Sequence, residues 1–89
     1  MAGETKGVLR DLGSRIRELR RAQGLTQEEL SERLGMLAPN YARIEQGRMN
    51  TTVETLVRIA KALKVGVADL FAKPKTKKAS VGRPRKSDE

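Results

Sequence analysis

The chain has 89 residues, a formal net charge of +8, and neither cysteine nor histidine. A chain of this length forms at most one domain with tails, and its composition excludes disulfides, thiolate chemistry, histidine-ligated metals and catalysis by a histidine acid or base. The excess of positive charge predicts a polyanionic partner. No apolar run is long enough for a signal peptide or a membrane span, so we expect a cytoplasmic protein without membrane contact.

Residues 1–8 contain two glycines and no helical periodicity, which predicts a flexible N-terminus. A first helix is predicted from apolar residues spaced three or four apart, the stripe of an amphipathic helix. These residues are Leu9, Leu12, Ile16 and Leu19. Gly24 is expected to end this helix, while Gly13, a poor helix former within the stripe, leaves its start open.

Residues 26–47 predict two short helices joined by a tight turn. Thr26 and Glu29 have the spacing of a capping box, Gly35 suits a turn with positive φ, and Gly47 follows the second helix. Apolar residues fall on one face of each helix, and they are Leu30, Leu34, Met36, Tyr41 and Ile44. Two helices joined in this way form a helix-turn-helix, whose second helix can place its outer face in a DNA major groove.

Two further helices follow a loop at residues 48–51. The fourth begins at a cap, either Thr51 paired with Glu54 or Thr52. Its apolar residues are Val53, Leu56, Val57, Ile59, Ala60 and Leu63. A short fifth helix, from Val67 to Phe71, closes an all-α domain that we predict to span residues 9–72.

Residues 73–89 predict a disordered, flexible basic tail. They hold seven Lys or Arg against two acidic residues, a local net charge of +5, and too few apolar side chains to offset the entropy of ordering. The segment Gly82-Arg83-Pro84-Arg85-Lys86 is similar to an AT-hook core, in which Arg83, Arg85 and Lys86 would enter the minor groove of A·T-rich DNA. Because Val81 stands where that core has an arginine, a basic arm with non-specific phosphate contacts is the alternative.

Residues 12–71 resemble the Cro/phage-repressor (Xre-type) helix-turn-helix family. The residues that carry the resemblance are Leu25-Thr26-Gln27, Glu29-Leu30, Leu34-Gly35, Tyr41, Arg43-Ile44-Glu45 and Gly47. The resemblance implies a five-helix, lambda-repressor-like DNA-binding domain without a cofactor. It further implies a repressor or other transcription regulator that binds a pseudo-palindromic operator as a homodimer and associates with the nucleoid when bound to DNA.

The recognition helix is predicted at residues 38–46. The outward side chains proposed to read bases are those of Arg43, Asn40, Ala38 and Pro39. Arg43 is the best candidate because its guanidinium matches O6 and N7 of guanine, whereas Ala38 offers only a methyl contact to thymine. Leu37, unlike the polar residue common at this place in relatives, cannot cap the helix.

Phosphate contacts are expected at the start of the second helix and beyond the third. The candidates are Thr26, Gln27, Gln46, Arg48 and Asn50. A helix N-terminus attracts phosphate through its free N–H groups and dipole. The resemblance also implies a buried pair, Arg20 with Glu45, that ties the first helix to the recognition helix.

The apolar residues of the fifth helix are candidates for a dimer interface, and they are Val67, Leu70 and Phe71. Because Leu37 and Ala38 replace polar base readers, an alternative function is a protein-interaction module that binds a toxin or RNA polymerase and for which DNA is secondary. An enzyme is not expected, since the sequence shows neither a nucleophile–base pair nor a phosphate-loop glycine pattern.

Overall fold

The computed structural model describes residues 3–75, which form five α-helices and no strand. The helices are α1 Gly3–Ala22, α2 Gln27–Leu34, α3 Ala38–Glu45, α4 Val53–Ala62 and α5 Val67–Leu70. The predicted all-helical, five-helix fold is therefore confirmed. Most of the predicted basic tail, from residue 76 onward, lies outside the described residues.

The first helix begins earlier than its apolar stripe predicts. Residues 3–8, expected to be flexible, form the first turns of α1, so that expectation was wrong about their secondary structure. They have no apolar periodicity because they do not face the core, and Val8 is 50% exposed. Once the packed part of a helix exists, each further residue adds a hydrogen bond at low cost. The negative charge of Glu4 in the first turn also interacts favourably with the positive end of the helix dipole.

The caps of the short helices fix where each begins. Thr26 Oγ1 accepts from Glu29 N at 3.0 Å, and Thr26 N donates to Glu29 Oε1 at 2.8 Å, so the predicted capping box of α2 is confirmed. Gly35 follows α2 with φ 68°. The cap of α4 is Thr52, whose Oγ1 accepts from Thr55 N at 3.1 Å, which decides between the two candidate caps.

One hydrophobic core joins the helices. Its buried apolar residues are Leu9, Leu12, Ile16, Leu30, Leu34, Tyr41, Ile44, Leu56, Ile59, Ala60, Leu63 and Leu70. Two apolar residues of α4, Val53 and Val57, are exposed instead. Val53 is the first residue of α4, and Val57 lies one turn further along the helix.

Two glycines allow the backbones of α1 and α3 to approach closely. A Cβ at Gly13 would lie 2.4 Å from Ile44 O, nearer than any real contact. Gly47 has φ 73°, and a Cβ there would lie 2.7 Å from Arg10 Cα. Gly13 is thus a packing position inside α1 rather than a sign of where the helix starts.

Long side chains donate hydrogen bonds to backbone carbonyl oxygens at the ends of neighbouring helices. Arg58 Nη2 donates to Leu34 O at the end of α2, and Gln23 Nε2 donates to Leu63 O after α4. Arg15 Nε donates to Asp69 O in α5 at 2.9 Å. The last carbonyls of a helix have no partner within it, so these bonds satisfy them while linking elements distant in sequence.

Replacing Gly13 with alanine should destabilise the fold by about 1–3 kcal/mol, because the added methyl overpacks a contact with backbone. Alanine is otherwise the better helix former, so a purely local effect has the opposite sign. The free energy of unfolding, measured by urea titration, distinguishes the two.

Gly7→Ala is the matched control. It lies in the same helix and has nothing within 4 Å of the added Cβ, so it should be stabilising by about 0.5–1 kcal/mol. A Gly13→Ala variant that is stabilised to the same degree would contradict the close approach of α1 and α3.

Candidate nucleic-acid interface

A buried carboxylate, that of Glu45, connects three helices. Arg20 from α1 donates to it twice, from Nε to Oε2 at 2.6 Å and from Nη2 to Oε1 at 3.2 Å. Gln27 Nε2 from α2 donates to Oε1 at 2.9 Å. Tyr41, one turn earlier in α3, donates its hydroxyl to Oε2. With Glu45 5% and Arg20 8% exposed, the two charges form an ion pair that is almost removed from solvent.

These contacts keep the carboxyl of Glu45 ionised. Burial alone would raise its pKa, but the hydrogen bonds from Arg20, Tyr41 and Gln27 outweigh burial, and the pKa is lowered from its ordinary value. Burial and the bond to Glu45 raise the pKa of the Tyr41 hydroxyl, which therefore remains a donor. Accordingly, the four hydrogen bonds to Glu45 are all charge-assisted.

The outer face of α3 carries the side chains that were predicted to read bases. Arg43 and Pro39 are exposed, and Ala38 and Asn40 are half-buried. The side chains of Arg43 and Asn40 have no hydrogen-bond or ionic partner within residues 3–75. Both are therefore available to a ligand at this face.

The helix begins without a polar cap, as the sequence predicts. Leu37 has an extended backbone and makes no side-chain capping bond, and its side chain is 71% exposed. The first turn of α3 thus presents an apolar surface to solvent. Pro39, in that turn, lacks an N–H but leaves no helical hydrogen bond unmade there.

The residues predicted to bind phosphates lie around the C-terminal end of α3. Gln27 uses one N–H for Glu45 and keeps its second N–H and its carbonyl oxygen. Gln46 Oε1 accepts from Arg48 Nη1 at 3.2 Å. Asn50 is exposed in the loop before α4, and the hydroxyl oxygen of Thr26 is engaged as a cap.

The tail residues proposed for the minor groove, Arg83, Arg85 and Lys86, lie outside the described residues. The structure describes the chain as far as Lys75, and Pro74 just before it is buried. Pro74, the second residue of the predicted tail, is therefore packed against the domain.

One of the three residues predicted to lie at a dimer interface lies in the core instead. Leu70 is fully buried in the core, so it cannot contact a second protomer, and its assignment was wrong. The single turn of α5 must be anchored by its largest inward residue, which hydropathy alone does not identify. Val67 is half-buried and packs against the core, whereas Phe71 is 52% exposed.

Sequence reasoning also missed a pocket beside Glu45. It has a volume of about 230 Å³, and its lining residues are Arg17, Arg20, Arg21, Gln27, Glu45 and Gln46. The signal available in the sequence is the spacing of the three arginines, at i, i+3 and i+4 of one helix, which places them on one face.

No helix within residues 3–75 is both long and apolar enough to cross a membrane.

A family model described as helix-turn-helix matches residues 16–70. A relative from Sinorhizobium fredii, an uncharacterized HTH-type transcriptional regulator, is 44% identical over 59 residues, which are 66% of this chain and 77% of the relative. Among solved structures, the restriction-modification controller protein C.AhdI from Aeromonas hydrophila has a TM-score of 0.69 and 35% identity, over 71% of this chain and 96% of that one. The biofilm master regulator SinR, solved in complex with DNA, has a TM-score of 0.64 and 27% identity, over 68% of this chain and 98% of that one.

The fold, the helix-turn-helix geometry and these similarities agree. The chain therefore belongs to the helix-turn-helix family of Cro/phage-repressor (Xre) type, and it is a transcriptional regulator with a DNA-binding fold.

Proposed function

We propose that the protein binds a pseudo-palindromic DNA operator in a sequence-specific manner, as a homodimer with α3 of each protomer in the major groove. The observation that carries this proposal is the outer face of α3, where Arg43 and Asn40 have no partner in the described chain while the helix behind them is held by the Glu45 network. Two such helices would enter successive major grooves about 34 Å apart.

Arg43 is the principal base reader in this proposal. It is exposed in the last turn of α3, and a guanidinium can donate two hydrogen bonds to guanine O6 and N7. Asn40, one turn earlier, can pair with adenine in the same way. Ala38 and Pro39 supply apolar contacts of the kind that accept a thymine methyl group.

Phosphate contacts from both sides of α3 would hold it in register. The start of α2 offers Thr26 and Gln27, where a helix N-terminus favours an anion, and the residues after α3 offer Gln46, Arg48 and Asn50. Contacts to phosphate fix orientation rather than sequence. The tail residues Arg83, Arg85 and Lys86 would add either minor-groove or non-specific contacts.

The homodimer would form through α4 and the end of α5. These two helices are in contact, and large apolar side chains are exposed on both, namely Val53 and Val57 on α4 and Phe71 after α5. Together with the half-buried Val67, they are apolar side chains of the kind buried in two-fold interfaces.

A protein-interaction module for a toxin or RNA polymerase is the second candidate. It is favoured by Leu37, a large apolar side chain 71% exposed at the start of α3. A stoichiometric protein partner that Arg43→Ala still binds and Leu37→Ser does not would support this candidate over base reading.

Arg43→Ala should weaken binding to a selected operator by about 1–3 kcal/mol and relax one base position. Arg33→Ala is the control, because Arg33 is also exposed but lies in the last turn of α2. Fluorescence anisotropy on the selected site and on random DNA gives both affinities. An equal loss on the two DNAs would contradict base reading by Arg43.

Phe71→Glu should convert the dimer to a monomer and lower operator affinity, because a charge cannot be buried unpaired in an apolar interface. Val8→Glu is the matched control, as Val8 is also exposed but belongs to α1. Sedimentation velocity at micromolar concentration measures the oligomeric state. A wild-type protein that is monomeric both free and on DNA would contradict the homodimer.

We further propose that the Glu45 network orients α3. Glu45→Gln should cost about 3–5 kcal/mol of stability at pH 7, because it leaves the buried Arg20 without its counter-ion. Glu32→Gln, an exposed carboxylate of α2, is the control, and urea unfolding is the measurement. A cost no larger than that of the control would exclude this role.

The same pair gives a pH dependence of known sign. The pKa of Glu45 is lowered in the folded protein, so its contribution is present above the unfolded pKa of about 4.3 and is lost as pH falls below it. The stability difference between wild type and Glu45→Gln should therefore shrink on acidification from about pH 5.

A further inference from the structure

The two ends of α3 are supported in different ways. Its C-terminal end is bound to α1 and α2 through the carboxylate of Glu45. Its N-terminal end follows Leu37, which makes no side-chain capping bond. The position of the start of α3 therefore depends on the turn that precedes it.

This turn, residues 35–37, is tied to α2 by backbone hydrogen bonds. Gly35 has φ 68°, and its N–H donates to carbonyl groups of α2. Met36 N donates to Ser31 O at 2.9 Å, and the half-buried side chain of Met36 packs against the core. The chain leaves α2 at Leu34, so the carbonyl group of Leu34 marks the point from which α3 is set.

A side chain of α4 binds that carbonyl group. Arg58 Nη2 donates to Leu34 O, and no backbone N–H of residues 3–75 donates to this oxygen. The same nitrogen lies 3.7 Å from the position that a Cβ on Gly35 would take. Arg58 therefore lies directly against the turn, on the side where α2 and α4 are in contact.

The bond from Arg58 is of a kind that holds its acceptor firmly. Its donor is charged, which strengthens a hydrogen bond, and its acceptor lies at the negative end of the dipole of α2. A neutralised helix end is also the simplest alternative role for Arg58, in which the residue would contribute to stability and nothing else.

We propose that Arg58 is a positioning residue for sequence recognition. By fixing Leu34 O and the turn after it, Arg58 would hold the start of α3, and with it Asn40, at one height over the bases. Asn40 lies close behind the turn, and its N–H donates to Leu37 O at 3.0 Å. Displacement of the turn would therefore displace Asn40.

The second base reader would depend on a different support. Arg43 lies in the last turn of α3, two residues before Glu45, whose hydrogen bonds hold that end. Loss of the bond from Arg58 should therefore disturb the base read by Asn40 and spare the base read by Arg43. This inference deepens the proposed function and rests on it, because the two base readers are assigned there.

The first test measures base preference by fluorescence anisotropy on a selected operator and on its single-base variants. The two base positions are those at which Asn40→Ala and Arg43→Ala lose their preference. Arg58→Met, which removes the donor, should lower the preference at the Asn40 position about three- to tenfold, the range set by the free energy of one hydrogen bond. The preference at the Arg43 position should be unchanged.

Two further variants serve as controls for the first test. Arg58→Lys keeps a charged donor and should retain most of the preference. Lys61→Met removes one positive charge from an exposed position in the last turn of α4, and it should leave both preferences unchanged. Affinity for random DNA should be the same in Arg58→Met as in Lys61→Met, since neither residue is assigned a phosphate contact.

The second test measures amide hydrogen exchange of the free protein by NMR. At the start of α3, Asn40 N and Tyr41 N both donate to Leu37 O at 3.0 Å. In Arg58→Met these two amides should exchange about three- to tenfold faster, again the equivalent of one hydrogen bond. The amide of Gln46, at the other end of α3, should exchange at its wild-type rate. Because Arg58 is exposed, the variant should fold, which far-UV circular dichroism checks.

Selective effects in both tests support the inference. Equal losses of preference at both base positions, or equally faster exchange at both ends of α3, would mean that Arg58 contributes only to overall stability, and the inference would be overturned. Unchanged exchange or unchanged preference overturns it as well. A larger loss of affinity for random DNA in Arg58→Met than in Lys61→Met would assign Arg58 to a phosphate contact and equally overturn its positioning role. If the wild type binds no DNA at all, the proposed function fails, and hydrogen exchange alone decides whether Arg58 positions the start of α3.

Discussion

In the proposed function, the orientation of α3 depends on one buried carboxylate. Glu45 is the last residue of α3, and it accepts hydrogen bonds from Arg20, Gln27 and Tyr41. A carboxylate taken out of water is costly unless every lone pair finds a donor, so α1, α2 and α3 must take up the one arrangement that supplies them. An unpaired glutamate at the end of α3 would repel phosphate in the proposed DNA complex. The ion pair with Arg20 neutralises the charge of Glu45, which removes that repulsion, and the hydrogen bonds to Glu45 connect α3 to α1 and α2.

Close packing of the backbones of α1 and α3 allows the ion pair between Arg20 and Glu45 to form. Arg20 reaches Glu45 only because α1 lies against α3, and the approach is limited by backbone atoms at Gly13 and Gly47. A side chain at either position would separate the helices and lengthen the two hydrogen bonds from Arg20 to Glu45, which are now 2.6 and 3.2 Å long. The two glycines and the ion pair therefore act together. The two glycines set the distance between α1 and α3, and the ion pair of Arg20 with Glu45 sets their relative orientation.

The sequence predicts the parts of this molecule that follow from local chemistry. The capping box of α2 and the apolar spacing of α1 depend on residues within one turn of each other, and both are present in the structure. What sequence reasoning missed depends on the third dimension. Leu70 was placed at an interface because it is apolar, although the single turn of α5 buries it. Residues 3–8 lack an apolar stripe, yet they continue a helix that packs elsewhere. Arg17 and Arg21 share a pocket with Gln27, a residue of another helix, and spacing along α1 alone does not reveal that neighbour.

The apolar start of α3 determines how specificity would be divided in the proposed complex. With Leu37, Ala38 and Pro39 in the first turn, few polar groups can pair with base edges there, and directional readout falls to Asn40 and Arg43. Two readers discriminate well only if their helix sits at a fixed height and angle in the groove, because a bidentate bond tolerates little displacement. The hydrogen bonds to Glu45 would limit the movement of α3 within the protein. Phosphate contacts at the surrounding surface would limit the movement of α3 on DNA. A recognition helix that makes few base contacts therefore depends more on the contacts that hold it in position than a helix that makes many base contacts.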